Sequence, residues 1–162
     1  MINLYDIGRD DELHPALMKV GSYDVSRMIT TDNDSLVDFI RHHLKMEQYD
    51  NEHMFMIALD RFDRALGVFL LGIGDFEECV ISNRTVAEGL VLSGARQFML
   101  IHNHPDGGLS LSEADKEMDN NMNHLADLFG VKYLGNFVAT YDGFIISGMD
   151  KPIIYEDRWR RT

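Results

Sequence analysis

The sequence contains little cysteine and proline, with one cysteine and three prolines among 162 residues. A single cysteine, Cys79, excludes an internal disulfide and a cysteine-rich zinc module. No apolar run approaches the roughly 20 residues that a helix needs to span a bilayer. Residues 1–12 contain acidic side chains and no apolar signal-peptide core. These absences predict a cytoplasmic protein without a membrane partner.

Positive charge is also scarce, because 15 Lys and Arg residues stand against 27 Asp and Glu residues and give a net charge of −12. Proteins that bind nucleic acid usually need a positive surface to displace counterions from phosphates. Direct nucleic-acid binding is therefore not expected. The one basic cluster, at residues 158–161, is interpreted as part of a solvated tail.

The remaining composition, 45% hydrophobic and 26% charged, is that of a globular protein of one domain. Continuous apolar runs, which are typical of strands, are interspersed with segments whose apolar residues have helical spacing. This pattern predicts an α+β fold with a mostly antiparallel or mixed sheet and helices around it. We expect an irregular arm at residues 1–34 with room for a short strand, a domain at 35–150 and a tail at 151–162. Predicted helices cover residues 36–46, 85–94 and 112–129, and predicted strands cover 52–59, 66–73, 77–82, 97–102, 131–140 and 144–147.

The segment that informs most about chemistry is His102-Asn103-His104 at the end of an apolar strand, followed by Ser112 and Asp115 at the start of a long helix. Side chains two apart on an extended segment point to the same side, so both imidazoles can reach one point. A loop of proline and glycine turns the chain, and Asp115 can face back toward the strand end. Two imidazoles and one carboxylate form a three-ligand set for Zn²⁺ that leaves the fourth position to water.

Each part of this pattern also has a simpler interpretation. A His-x-His pair on a surface is usually just two polar residues, and Ser112 with Asp115 forms an ordinary helix N-terminal cap. The cap is expected whether or not a metal binds. The two parts together at one strand end favour a metal site. None of the other histidines is assigned to metal, and His53 is expected to face away from Glu52.

The combination resembles the JAMM motif of JAB/MPN-domain metalloproteases, His-x-His-x7-Ser-x-x-Asp, because residues 105–111 separate His104 from Ser112. The run HNHPDG is similar to the HNHPSG signature of RadC-like JAB domains, with Asp106 in place of serine. The strand that begins at Glu52 is similar to that group's Glu-x-Phe-x-x-x-x-Leu-Asp strand, with Met54 in place of phenylalanine. The resemblance covers about residues 35–148. It implies a JAB/MPN-like fold of the cytidine-deaminase-like type, a mixed β-sheet flanked by helices.

The resemblance also implies a reaction and the residues that carry it out. A glutamate from an early strand is the general base in JAB metalloproteases, and Glu52 matches that position. Ser112 matches a serine that helps to stabilise the tetrahedral intermediate. The implied reaction is hydrolysis of a peptide or isopeptide bond by a zinc-bound water that Glu52 activates, with His102, His104 and Asp115 as ligands. Without the resemblance, a solvated strand-edge position accounts for Glu52 equally well.

One pair departs from the family pattern. RadC-like domains usually carry Asp-His on the strand after the long helix, where this sequence has Gly135-Asn136. Whatever that pair contributes is expected to be missing, with reduced activity or a special substrate as the consequence. The helix-hairpin-helix segment that precedes the domain in full-length RadC proteins has no counterpart in the sequence.

Two other functions are compatible with the resemblance. One is a RadC-like protein linked to DNA repair or mobile elements, against which the net charge of −12 argues. The other is a non-catalytic MPN-type interaction module, which would be marked by the loss of metal ligands, whereas all three are present. The leading expectation is a zinc-dependent peptidase or isopeptidase with a peptide or protein substrate.

Overall fold

The computed structural model describes residues 1–30, 32–74 and 81–155. Within these residues, eight strands form one sheet with helices on both faces. The strands are β1 (Ile2–Arg9), β2 (Pro15–Tyr23), β3 (His53–Leu59), β4 (Ala65–Ile73), β5 (Gln97–Asn103), β6 (Lys132–Ala139), β7 (Gly143–Ile146) and β8 (Ile153–Ile154). The helices are α1 (Asn33–Asp38), which continues as a π-helix (Phe39–Leu44) before a 3-10 turn (Met46–Gln48), α2 (Asn83–Ser93) and α3 (Glu113–Phe129).

The sheet is mixed, with the strand order β2-β1-β4-β3-β5-β6-β7-β8. β1 is parallel to β4 and β5 is parallel to β6, whereas the other neighbours are antiparallel. The predicted α+β class and the mixed sheet flanked by helices are confirmed. β5 lies between β3 and β6, so the strand that ends in His102 and Asn103 is held from both sides.

The central strand β3 is apolar throughout because helices cover both of its faces, and every one of its residues is buried. Phe55 and Ile57 pack on the face that contacts α1 and the π-helix. Met54 and Met56 pack on the opposite face, against α2 and α3. The paired ends of β3 and β5 are thus fixed by packing from above and below the sheet.

The N-terminal arm is a β-hairpin, so the prediction of an irregular arm at residues 1–34 is wrong. β1 pairs with β2 along its length and with β4 on its other side. Pro15 is the first residue of β2, where a proline can be tolerated because, among the described residues, β2 is an edge strand paired on one side only. Gly8 and Gly21 lie inside the two strands and do not interrupt them.

The first predicted helix, at residues 36–46, begins earlier than expected. Asp32 accepts a hydrogen bond from Ser35 N at 2.7 Å and caps α1, which starts at Asn33. The helix widens to a π-helix after residue 38 and ends at Lys45, which has a φ of 54°. The other predicted helices and strands that can be compared agree with the structure to within two residues at each end.

Two predictions lie partly outside the described residues. The strand predicted at residues 77–82 is one of them, since only residues 81–82 are described and they form no strand. The tail predicted from residue 151 begins with the short strand β8, paired with β7, whereas the basic cluster at residues 158–161 lies outside the described residues. No helix of the described ranges is long and apolar enough to cross a membrane.

Candidate metal centre

The end of β5 brings two histidines to one point. His102 is paired with Met54 of β3 and with Val138 of β6, and it is 1% exposed. His104 follows the strand, and its backbone N–H donates to Ala139 O at 3.1 Å, which continues the pairing with β6. Because the segment stays extended, the two imidazoles lie on the same face, with ring centroids 4.8 Å apart.

The loop after His104 folds back against this histidine. Asp106 Oδ1 accepts a hydrogen bond from Gly108 N at 2.9 Å, and Gly107 adopts a φ of 83°, a conformation that favours glycine. The His104 Nδ1–H group can then donate to Gly108 O at 2.8 Å. The Pro-Asp-Gly-Gly turn therefore reverses the chain and also fixes the orientation of one imidazole.

Asp115 closes the site from the first turn of α3, where it is 7% exposed. Ser112 Oγ accepts a hydrogen bond from Asp115 N at 3.0 Å, and Asp115 Oδ2 accepts one from Ser112 N at 2.8 Å. The predicted capping role of this pair is confirmed. The same carboxylate faces the histidines, with Oδ1 3.1 Å from His102 Nε2 and Oδ2 3.4 Å from His104 Nε2.

The three side chains have the spacing of a metal-ligand set. The two Nε2 atoms are 3.0 Å apart, and one ligand atom from each of His102, His104 and Asp115 lies within 4.8 Å of the others. Ligand atoms at about 2.0–2.1 Å from a tetrahedral ion are separated by about 3.3 Å, so these residues can hold a metal ion. Among residues 1–30, 32–74 and 81–155, this is the only such group of three His, Cys, Asp or Glu residues.

The hydrogen bonds at the far side of each ring point to a cation between them. His102 Nδ1 lies 2.9 Å from Asn136 Oδ1, and His104 Nδ1 lies 2.8 Å from the Gly108 carbonyl oxygen. With Asn136 Oδ1 and Gly108 O as acceptors, each Nδ1 atom can carry the proton and each Nε2 atom can present a lone pair. The two Nε2 atoms and the Asp115 carboxylate converge on one point, where a metal ion could bind.

The pKa values of the cluster reflect the same arrangement. Burial alone would lower the pKa of His104, but hydrogen bonds to Asp115 and Gly108 and the charges of Asp115 and Glu52 raise it above its ordinary value. Burial alone would raise the pKa of Asp115, but hydrogen bonds with both histidines outweigh it and keep that pKa well below its usual range. The carboxylate therefore stays ionised, as a metal ligand requires.

Asn136 lies directly behind His102, fully buried, and its Oδ1 atom orients the imidazole. It follows Gly135, which has a φ of 111° and whose added Cβ would approach Ser147 Oγ to 2.8 Å. An aspartate at position 135 would therefore require local movement. Asn136, at the second position of the pair that replaces the family's Asp-His, contacts His102, whereas the reduced activity or special substrate expected from the replacement stays a prediction.

A chain of half-buried polar side chains connects Asn136 to α3. Ser147 Oγ accepts a hydrogen bond from Asn136 N at 2.8 Å and also hydrogen-bonds with Asp119. The Tyr133 hydroxyl donates to Asp119 Oδ1 at 2.6 Å. Burial raises the pKa of Asp119, and burial together with the Asp119 carboxylate raises the pKa of Tyr133. This chain ties the helix that carries Asp115 to the strand behind His102.

Glu52 lies beside the cluster, immediately before β3. Met54 is paired with His102, so the same antiparallel register places Glu52 opposite His104. Gly74 N donates to Glu52 O at 2.8 Å, which continues the β3–β4 pairing past the end of β3. The Glu52 carboxylate is near enough to His104 to raise the pKa of that imidazole. All five residues singled out from the sequence thus lie in one region.

Three residues of this region were assigned no role from the sequence: Asn103, Asp119 and Tyr133. Strand alternation could have placed Asn103 on the face opposite His102 and His104. Asp119 is one helical turn after Asp115, which could have placed it on the side that faces the sheet. His53 was expected to face away from Glu52. Its ring stacks on Tyr49, with centroids 3.7 Å apart, and not on the histidines of the cluster.

A buried His-His-Asp set at the end of a central strand of a mixed sheet is the arrangement expected of a JAB domain. The RadC-like JAB domain model matches residues 30–151, which is more than half of the chain. The chain therefore belongs to the RadC-like JAB domain family, as the sequence motifs predicted.

Curated proteins similar to this chain carry the name UPF0758 protein. One from Finegoldia magna is 29% identical over 91 residues, which cover 56% of this chain and 41% of that protein. One from Syntrophomonas wolfei is 27% identical over 122 residues, which cover 74% of this chain and 51% of that protein. One from Coprothermobacter proteolyticus is 25% identical over 126 residues, which cover 77% of this chain and 54% of that protein. The chain spans about half the length of the curated relatives that it matches.

The contact behind His102 predicts how substitutions of Asn136 affect metal binding. Asn136→Ala removes the acceptor that fixes the His102 tautomer and should weaken metal affinity by about 10–100-fold, the usual effect of losing such a partner. Asn136→Asp keeps an acceptor at the same place and should retain the affinity. Competition with a chromophoric zinc chelator measures both values.

Asn123→Ala on the exposed side of α3 serves as the matched control and should bind metal like the wild type. An Asn136→Ala protein that folds and binds metal with wild-type affinity would show that His102 does not depend on this amide.

Proposed function

We propose that this domain is a zinc-dependent metallohydrolase that cleaves peptide or isopeptide bonds. The observation that carries the proposal is the convergence of the His102 and His104 Nε2 atoms and the Asp115 carboxylate, with both Nδ1 atoms beside hydrogen-bond acceptors. Two imidazoles and one carboxylate suit zinc, and three protein ligands leave a position open, as in catalytic zinc sites. The family membership supports the hydrolytic class of the reaction.

The ligands would be His102, His104 and Asp115. A zinc ion bound by them would supply a Lewis acid that polarises a carbonyl group and makes water acidic enough to react near neutral pH. Asn136 and the Gly108 carbonyl would keep the two imidazoles in the tautomer that metal binding requires. Because His102 is buried and Ser112 is exposed, a substrate would approach from the side of Ser112 and the first turn of α3.

Glu52 would act as the general base. Its position opposite His104, beside the converging donors, lets its carboxylate accept the proton of the attacking water. The same carboxylate then delivers that proton to the nitrogen of the leaving amine. The carbon–nitrogen bond breaks, and the products are a carboxylate and an amine.

Ser112 would stabilise the developing oxyanion. Its Oγ uses a lone pair to accept the hydrogen bond from Asp115 N, so the hydroxyl proton can still be donated. A donor at this place would act on the carbonyl oxygen as it gains negative charge. The capping and the catalytic roles are therefore compatible in a single side chain.

The two other candidate functions receive less support. A non-catalytic interaction module would not require three converging ligands or the acceptors beside the two Nδ1 atoms, Asn136 Oδ1 and Gly108 O. Direct binding to nucleic acid is disfavoured by the net charge of −12. Peptides or proteins are therefore the proposed substrates.

The Glu52→Gln variant tests the proposed reaction. The substitution removes the basic oxygen but leaves all three ligands, so it should retain zinc and lose about 10²–10⁴-fold in rate. The assay follows hydrolysis of a pool of quenched fluorescent peptides that includes isopeptide-linked lysines, alongside elemental analysis of each protein.

Glu12→Gln, on an exposed glutamate between β1 and β2 that contributes nothing to the proposed site, is the matched control and should keep both zinc and rate. Wild-type cleavage with an equally active Glu52→Gln protein would exclude Glu52 as the base.

Variants of Ser112 separate its two roles. Ser112→Ala should cost roughly 1 kcal/mol in stability as a lost N-cap and about 10²–10³-fold in rate as a lost oxyanion donor. Ser112→Asp should keep the cap, since aspartate caps as well as serine does, but repel the oxyanion and lose the rate. Melting temperature and turnover are compared across the set.

The control is Ser82→Ala, which removes the N-cap of α2, a helix that supplies no residue to the proposed site. It should lower the melting temperature without changing the rate. A stable and fully active Ser112→Asp protein would mean that Ser112 serves only as a cap.

A further inference from the structure

The central residue of the His-Asn-His segment contacts the chain around Glu52. Asn103 alternates with the two histidines along β5, and its side chain lies on the opposite face of the sheet, where it is 2% exposed. The contacts that it makes there are all to backbone groups of residues 49–53, the segment that leads into β3.

The Asn103 amide bonds to the chain on both sides of Glu52. Its Oδ1 atom accepts a hydrogen bond from His53 N at 2.7 Å, and its Nδ2 atom donates to Asn51 O at 3.1 Å. A longer contact of 3.5 Å joins Nδ2 to Tyr49 O. The residue before Glu52 and the residue after it are therefore fixed by one planar group.

Among the standard side chains, few can make this set of contacts. The site requires an acceptor for one N–H and a donor for two carbonyls within the length of a two-carbon side chain, which is the amide of asparagine. An ionised aspartate would place a buried charge against the carbonyls of Asn51 and Tyr49. Alanine would leave the His53 N–H without this acceptor.

The same segment is stabilised by His53, which stacks on Tyr49 and whose Nδ1 lies 3.2 Å from Asn51 O. These contacts lie within the segment itself. The Asn103 amide, in contrast, joins the segment to the strand that carries His102 and His104.

We propose that Asn103 is a positioning residue that sets the place of the Glu52 carboxylate relative to His102 and His104. The inference rests on the proposed function, in which Glu52 is the base. One strand then serves both parts of the site, because alternate side chains supply the ligands on one face and fix the base from the other. An error of about 1 Å in such a placement can cost about 100-fold in rate.

A double-mutant cycle with cobalt-loaded protein tests the proposal. The variants are Asn103→Ala, Glu52→Gln and the two together, with Co²⁺ as the probe, because its visible spectrum reports the geometry around the ion. Rates are measured on the fluorescent peptide pool. Leu59→Ala, at the other end of β3, is the control for loss of buried contacts without a change near Glu52.

Asn103→Ala should bind cobalt at the wild-type ratio, lose about 10–100-fold in kcat with little change in KM, and shift the spectrum in the direction of Glu52→Gln. In the Glu52→Gln background it should cause no further change in spectrum or rate. Leu59→Ala should lower the melting temperature and leave the spectrum unchanged. If Asn103→Ala does not fold, Asn103→Ser replaces it, because a hydroxyl cannot reach both sides of Glu52.

An Asn103 variant with the spectrum and rate of Leu59→Ala would overturn the inference, as would fully additive losses in the double variant. Either result, with Glu52→Gln still defective, leaves the proposed function standing. A fully active Glu52→Gln with a wild-type spectrum would instead contradict the base assignment, and the inference would fall with it. If no peptide in the pool is cleaved, the spectra alone decide.

Discussion

Two imidazole nitrogens 3.0 Å apart, together with a buried carboxylate, impose the constraint on which the rest of this site depends. The other nitrogen of each ring faces an acceptor, Asn136 Oδ1 or Gly108 O, so each Nε2 atom can present a lone pair to a ligand. A metal ion between the two Nε2 atoms and the carboxylate would satisfy all three groups at once.

The fold keeps these groups together through a few elements. β5 is paired on both sides, so its end cannot shift without disturbing β3 and β6. Asp115 is fixed by its reciprocal cap with Ser112 at the start of α3. The hydrogen-bonded chain from Asn136 through Ser147 to Asp119 then joins α3 to β6. Ligand geometry is thus set by backbone pairing and by helix capping, both of which are local and strong.

The sequence predicted the helices and strands that have a buried apolar face, and it predicted which residues of the motif lie close together. His102, His104, Ser112 and Asp115 could be placed because strand alternation and an N-cap pattern are local signals. The N-terminal hairpin was missed, since an edge strand with one partner shows little hydrophobic alternation and Pro15 resembled a break.

The contacts of Asn103 and Asn136 could not be predicted, because each depends on a register between segments far apart in the sequence. Asn103 reaches residue 53, fifty positions away, and Asn136 reaches His102 at a separation of 34. A one-residue slip in either pairing would turn these amides to the other face. The role of Glu52 could be predicted only from the resemblance. Its position opposite His104 follows from the register between β3 and β5.

The central claim is that the converging donors bind zinc, and metal content measures it most directly. Protein purified without added metal is analysed for transition metals as wild type, His104→Ala, Asp115→Ala and the control His124→Ala, which alters an exposed histidine of α3. The account predicts about one zinc ion per chain in the wild type and the control, and a sharp loss in the other two. Equal zinc content in all four proteins, or no metal in the wild type even after incubation with zinc, would contradict it.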